Sequence, residues 1–130
     1  MRAFPALLLS LALGACGAPS GPGTNLSPAK ADSLIQANKS DSSFLLLDVR
    51  TPEEYAMGHI DRSRLVDFHA ADFQTRITAL PRQAPILLYC RSGNRSGQAL
   101  KMMQDLGFTN VRHLAGGINL WQAEARPLVR

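Results

Sequence analysis

Ile86-Leu87-Leu88-Tyr89-Cys90-Arg91-Ser92-Gly93-Asn94-Arg95-Ser96-Gly97 joins an apolar run of strand length to a cysteine and a loop of glycine, small polar residues and arginine. A short run apolar at every position suits a central parallel strand covered on both faces. Arg95 to Leu106 then reads as a helix, with Gly107 in the position that ends one. Cys90 therefore stands where a buried strand ends and a helix opens. A free cysteine, with a pKa of about 8.5, is only about 3% thiolate at pH 7, and a helix N-terminus with nearby arginine lowers that pKa. Cys90 is the candidate nucleophile. The bland alternative is a buried, inert cysteine at a strand end. Such a residue has no need of Arg91, Gly93, Arg95 and Gly97 within the next seven positions.

Outward from this stretch, strand and helix signals alternate. Ser27 and Pro28 form an N-cap and first helical position for a helix running to about Asn38. Phe44 to Val49 is a second continuous apolar run and ends at Asp48-Val49-Arg50. Thr51-Pro52-Glu53-Glu54 combines a cap, a proline and first-turn acids, which predicts a short helix to Met57 stopped by Gly58. Leu65 to Phe68 is a weaker strand, Ala70 to Leu80 a helix, Val111 to Leu114 a final strand, and a short helix surrounds Trp121. Alternation of this kind predicts an α/β fold with a central parallel sheet, and ligands in such sheets sit at the carboxyl ends of the strands. Arg50 and Cys90 both lie at such ends and can share a site.

Four separated features, in order, resemble the rhodanese family of sulfurtransferases: Leu47-Asp48-Val49-Arg50 with Pro52-Glu53-Glu54-Tyr55, then Gly58-His59-Ile60, the Cys90 loop, and Leu114-Ala115-Gly116-Gly117 with Trp121. The resemblance implies a rhodanese-like fold, a central parallel sheet flanked by helices on both faces, over residues 28–130. It also implies a persulfide relay, in which Cys90 takes the outer sulfur of a small anionic donor such as thiosulfate and passes it to a thiophilic acceptor, cyanide or a thiol. Amides of the loop from Arg91 through Ser92, Gly93, Asn94 and Arg95 to Ser96 would form the anion-binding nest. Arg91 and Arg95 add charge for the donor. By matching position Arg50 would face the substrate pocket, with Asp48 structural and His59 structural rather than a general base. Where many relatives carry Pro-Gly-Ala after the isoleucine, this chain has Asp61-Arg62-Ser63-Arg64, which leaves the path of that loop open.

With 130 residues, 45% of them apolar, the chain has room for one domain and its core. A net charge of +4, spread without a basic run, gives no nucleic-acid stripe, and nothing in the sequence speaks to oligomeric state. His69 and His113 lack metal-ligand spacing, so neither metal nor cofactor is expected. Residues 1–15 read as a signal peptide, with Arg2 before an apolar stretch too short to span a bilayer. Its end, Leu13-Gly14-Ala15-Cys16, resembles the bacterial lipobox, which implies lipidation at Cys16 and a flexible linker over residues 16–27 rich in glycine, proline and serine. The membrane would then be met only through the lipid, at the cell envelope. In a Gram-negative source, Gly17 in place of aspartate favours the periplasmic face of the outer membrane. Cys90 would remain the sole thiol, which removes a CxxC redox mechanism.

Two other readings compete. A cysteine phosphatase or arsenate reductase places an arginine and the cysteine around a tetrahedral oxyanion, but here Arg95 comes one position early for that loop. A tethered sulfur carrier or partner-binding module without turnover is the non-enzymatic alternative.

Overall fold

The computed structural model describes residues 23–130. The expected signal peptide, Cys16 and the first part of the linker lie outside the described residues. Strands β1 (Asn25–Leu26), β2 (Leu45–Asp48), β3 (Arg64–Leu65), β4 (Ile86–Tyr89) and β5 (Val111–Leu114) make one parallel sheet in the order β1-β5-β4-β2-β3. Between and after them run α1 (Pro28–Ala37), α2 (Pro52–Met57), α3 (Phe73–Thr78), α4 (Asn94–Asp105) and α5 (Gly117–Ala123). Among the described residues no helix is long and apolar enough to cross a membrane.

The continuous apolar runs act as the sequence predicts. Side chains alternate across a strand, so Leu45, Leu47, Ile86, Leu88 and Cys90 face one layer, with Phe73 and Ile77 of α3 and Ala99, Leu100 and Met103 of α4. Leu46, Leu87 and Tyr89 face the other, with Ala31 and Ile35 of α1 and Ile118 and Trp121 of α5. Each fully buried leucine contributes on the order of 2 kcal/mol. From β2 the chain steps to β3 on one side and then to β4 on the other, so the order reverses between β2 and β4. That switch point is where open α/β sheets bind ligands, and Cys90 follows β4 immediately.

Local capping fixes the shorter helices. Thr51 accepts from the Glu54 amide at 3.3 Å while the Glu54 carboxylate reaches back to the Thr51 amide, a complete capping box.

Three expectations need correction. The linker does not extend to residue 27, because the Thr24 and Leu26 carbonyls accept from the amides of His113 and Ala115, each at 2.8 Å, making β1 the sheet edge. Two residues of strand carry no periodicity to read. Near the third strand, pairing is formed at Arg64–Leu65 rather than 65–68, and α3 spans Phe73–Thr78 rather than 70–80. The Asp67 carboxylate takes the His69 amide at 2.9 Å and turns the chain before the helix can start.

Candidate active site

Cys90 is 1% exposed at the end of β4, and its backbone is clamped from above by α5. The Ile118 amide donates to the Cys90 carbonyl at 2.9 Å and the Asn119 amide to the Arg91 carbonyl at 3.0 Å. Gly117 permits this approach, since a Cβ there would lie 2.5 Å from the Arg91 carbonyl carbon. The loop then folds around the sulfur. Gly93, in the left-handed region at φ 101°, turns its amide inward and donates to Sγ at 3.1 Å. The Ser96 hydroxyl stands 3.4 Å from the same sulfur. Burial pushes the Cys90 thiol up, but the Ser96 hydroxyl and the amides of Ser96, Gly93 and Ser92 outweigh it, leaving the thiol below its ordinary value. The N-terminus of α4, a helix of twelve residues, adds its dipole to the same end.

The arginines divide by partner. Arg91 is exposed at the mouth of the site and carries no ion pair among the described residues. Arg95, expected as charge for the donor, is instead held by both oxygens of Glu54, at 2.7 and 3.0 Å. This pair ties α2 to α4, and the Arg95 guanidinium holds the Glu54 carboxyl down at about 2. Arg50, expected to face the pocket, is 5% exposed and forked onto Asp48, with Nε to Oδ1 at 2.9 Å and Nη2 to Oδ2 at 2.6 Å. Its Nη2 also donates to the Gly58 carbonyl at 2.7 Å, so it closes the turn after α2 and forms part of the cleft wall. In both cases a carboxylate within reach of a guanidinium takes charge-assisted bonds from it; Arg50 still lines the cleft, as expected, while held by Asp48.

A lowered carboxylate pKa contributes stability above its unfolded value that is lost as pH falls through the folded one. Glu54→Gln is therefore expected to lower the melting temperature modestly at neutral pH, in line with a partly exposed pair. The difference from the parent should shrink as pH drops from 4.5 toward about 2. Thermal unfolding across that range checks it.

A cleft of about 400 Å³ is lined by Arg91, the residue after Cys90, with Arg50 and Glu54 and the apolar Met57, Ile118 and Leu128. Ser92 and Asn94 are exposed on the loop, and Asn94 Oδ1 accepts from Gln98 at 2.6 Å. Neither Arg62 nor Arg64 lines this cleft: Arg62 donates to the Lys39 carbonyl at 2.7 Å and Arg64 pairs in β3. His59 stacks on Tyr55 with ring centroids 3.7 Å apart and bonds through Nδ1 to the Tyr55 carbonyl, which gives it a packing role. Among the described residues no group of three His, Cys, Asp or Glu could hold a metal ion.

Two polar residues that the sequence did not single out for the site also join it. His113 Nδ1 is 3.0 Å from Ser96 Oγ, and its Nε2 is 2.6 Å from Asn25 Oδ1. Asn25 is 88 positions from His113 and sits in what reads as linker, so no local signal marks the contact.

The model of the rhodanese-like domain family matches residues 27–124. The chain belongs to the rhodanese-like family. This rhodanese-like domain is 34% identical over 99 residues to a sulfurtransferase of Allochromatium vinosum, covering 76% of this chain and 91% of that one. It is 35% identical over 99 residues to the thiosulfate sulfurtransferase GlpE of Ectopseudomonas mendocina, covering 75% and 84% of the two chains. Among solved structures, a rhodanese-related protein of Thermoplasma volcanium superposes with a TM-score of 0.67 at 27% identity, over 82% of this chain and 97% of that one. The polysulfide-sulfur transferase homodimer of Wolinella succinogenes gives the same TM-score at 26% identity, over 82% and 77%. Family membership and the relatives together support sulfurtransferase activity for this rhodanese-like domain.

Proposed function

We propose that the domain carries a sulfane sulfur from thiosulfate or a similar small anion, through a persulfide on Cys90, to cyanide or a thiol. The observation that supports this reading is the sulfur cradle: a thiol below its ordinary pKa, facing inward loop amides beside the cleft that Arg91 lines. In the first step the Cys90 thiolate attacks the outer sulfur of thiosulfate. A new S–S bond forms, the old one breaks, and sulfite leaves with the bonding electrons. The outer persulfide sulfur then bears the negative charge, which the loop amides stabilise as they did the thiolate. Cyanide or a thiolate next attacks that sulfur and returns Cys90 as thiolate. Cys90 is the one free cysteine among the described residues, so the acceptor comes from outside the domain.

Arg91 is the arginine we assign to the anionic donor, because Arg50 and Arg95 already serve Asp48 and Glu54. The same occupation disfavours a phosphatase, which needs its loop arginine free to clamp the oxyanion. Incubation of the purified protein with thiosulfate is expected to add one sulfur atom at Cys90 by intact mass, removed by cyanide. Absence of the adduct on protein whose Cys90 was reduced at the start would sink the reading. A carrier would form the adduct but show no turnover with cyanide. The Leu13–Cys16 motif supports a lipid on Cys16 and attachment at the cell envelope. Metabolic labelling with an alkyne fatty acid should mark the parent and not Cys16→Ser.

A further inference from the structure

We propose that His113 is a positioning residue that holds the proton released by Cys90, with Ser96 as the bridge and Asn25 fixing the imidazole. The inference rests on Cys90 being the nucleophile and adds the route by which its proton leaves. Three contacts run in series: Cys90 Sγ to Ser96 Oγ at 3.4 Å, Ser96 Oγ to His113 Nδ1 at 3.0 Å, and His113 Nε2 to Asn25 Oδ1 at 2.6 Å. The amide oxygen of Asn25 can only accept, so Nε2 carries the hydrogen. A neutral imidazole protonated at Nε2 presents a lone pair at Nδ1. That lone pair faces a hydroxyl which itself faces the thiol.

Ser96 has one hydrogen and two lone pairs; of the two acceptors within its reach, His113 Nδ1 at 3.0 Å is nearer than the Gly93 carbonyl at 3.3 Å, and the hydroxyl donates to Nδ1 while accepting from the thiol. When Cys90 ionises, its S–H proton passes to Ser96 Oγ and the Ser96 hydroxyl proton passes to Nδ1. The S–H bond breaks, an N–H bond forms, and the products are a thiolate and an imidazolium with no change in total charge. Ser96 then donates to the thiolate, Nδ1–H to Ser96, and Nε2–H to Asn25. Every polar hydrogen in the chain keeps an acceptor.

The surroundings suit a proton that stays within the pair. β4 places Leu88 beside His113, β1 places Asn25, and α4 places Ser96 and Gly97, of which a Cβ on Gly97 would sit 3.6 Å from the ring carbon Cε1. None of these is charged. Arg112, the neighbour on β5, points to the opposite face by strand alternation, and Arg95 on α4 acts on Cys90 while paired with Glu54. Burial alone lowers the proton affinity of His113, and the negative charge of a thiolate beside it works in the opposite sense. Two groups coupled in this way titrate as a pair.

The test is the pH dependence of Cys90 alkylation by iodoacetamide in the full chain, with the modified site located by peptide mass. It needs no sulfur donor, so it can succeed or fail independently of the sulfur-transfer reading. In His113→Gln, and more weakly in Asn25→Ala, the alkylation midpoint should rise by about one pH unit, a tenfold slower reaction at about pH 6. Rates at high pH, where every Cys90 is thiolate, should match the parent. A merely structural His113 would alter melting without moving the midpoint. Should His113→Gln fail to fold, NMR of the His113 ring in the parent and in Cys90→Ser decides: the ring should hold its proton to higher pH in the parent, where a thiolate faces it, than in Cys90→Ser. An unmoved midpoint, or identical ring titrations, overturns the proposal.

Discussion

Gly117→Ala is expected to abolish most sulfur transfer while leaving a destabilised but folded domain. The residue sits at φ 59°, and an added methyl would meet the Arg91 carbonyl carbon and oxygen at 2.5 Å and the Cys90 carbonyl oxygen at 2.6 Å. These are backbone atoms and cannot rotate aside. The left-handed conformation alone costs about 1–2 kcal/mol in any other residue. Relief of the clash requires α5 to lift from the loop, breaking the Ile118 and Asn119 amide bonds that hold the Cys90 and Arg91 carbonyls. A displacement of about 1 Å at the nucleophile is enough to lower turnover roughly a hundredfold. Gly107→Ala is the control, because Gly107 has φ 93° but nothing lies within 4 Å of where its methyl would stand, so only the conformational cost applies. Steady-state thiosulfate–cyanide kinetics with urea unfolding of both variants checks this. Comparable activity in the two variants would show that the clamp is dispensable.

Arg50→Ala is expected to lower stability by about 3–5 kcal/mol, the cost of leaving one member of a buried ion pair alone. Asp48 is 0% exposed, and its oxygens take the Arg50 Nε, Nη2 and backbone amide. Against a total of roughly 5–15 kcal/mol for a domain, that loss brings unfolding close to room temperature for a marginal protein. A melting shift of at least about 12 °C follows at the usual scale for this size. Asp48→Asn/Arg50→Met should recover a large part of it, because no charge is then buried and the asparagine carbonyl oxygen still faces the backbone amide of position 50. A pure substrate contact, as the sequence suggests for Arg50, would spare stability and reduce donor use alone. Calorimetry of the single and double variants separates the two.

The legible part of the site was its backbone. Cys90, its loop and the glycines at 116 and 117 form one short string each, and strand, turn and helix propensities act over such spans. The thiol accordingly stands at a strand end, where those propensities put it. Along the chain Arg50, Arg91 and Arg95 look alike. Which of them is free depends on acceptors 2, 8 or 41 positions away, and only Glu54, brought over α4 by α2, decides for Arg95.

By itself, the sequence determined a parallel α/β domain with a thiol at the carboxyl end of a central strand. Apolar runs, caps and glycines act through neighbours a few residues apart, and burial of a run on both faces leaves few sheet arrangements. Tertiary structure alone decided the polar partners of that thiol's surroundings: Glu54 on Arg95, Asp48 on Arg50, and the line from Asn25 through His113 and Ser96 to Cys90. A hydrogen bond forms wherever packing leaves donor and acceptor about 3 Å apart, and separation along the chain leaves no trace of that distance.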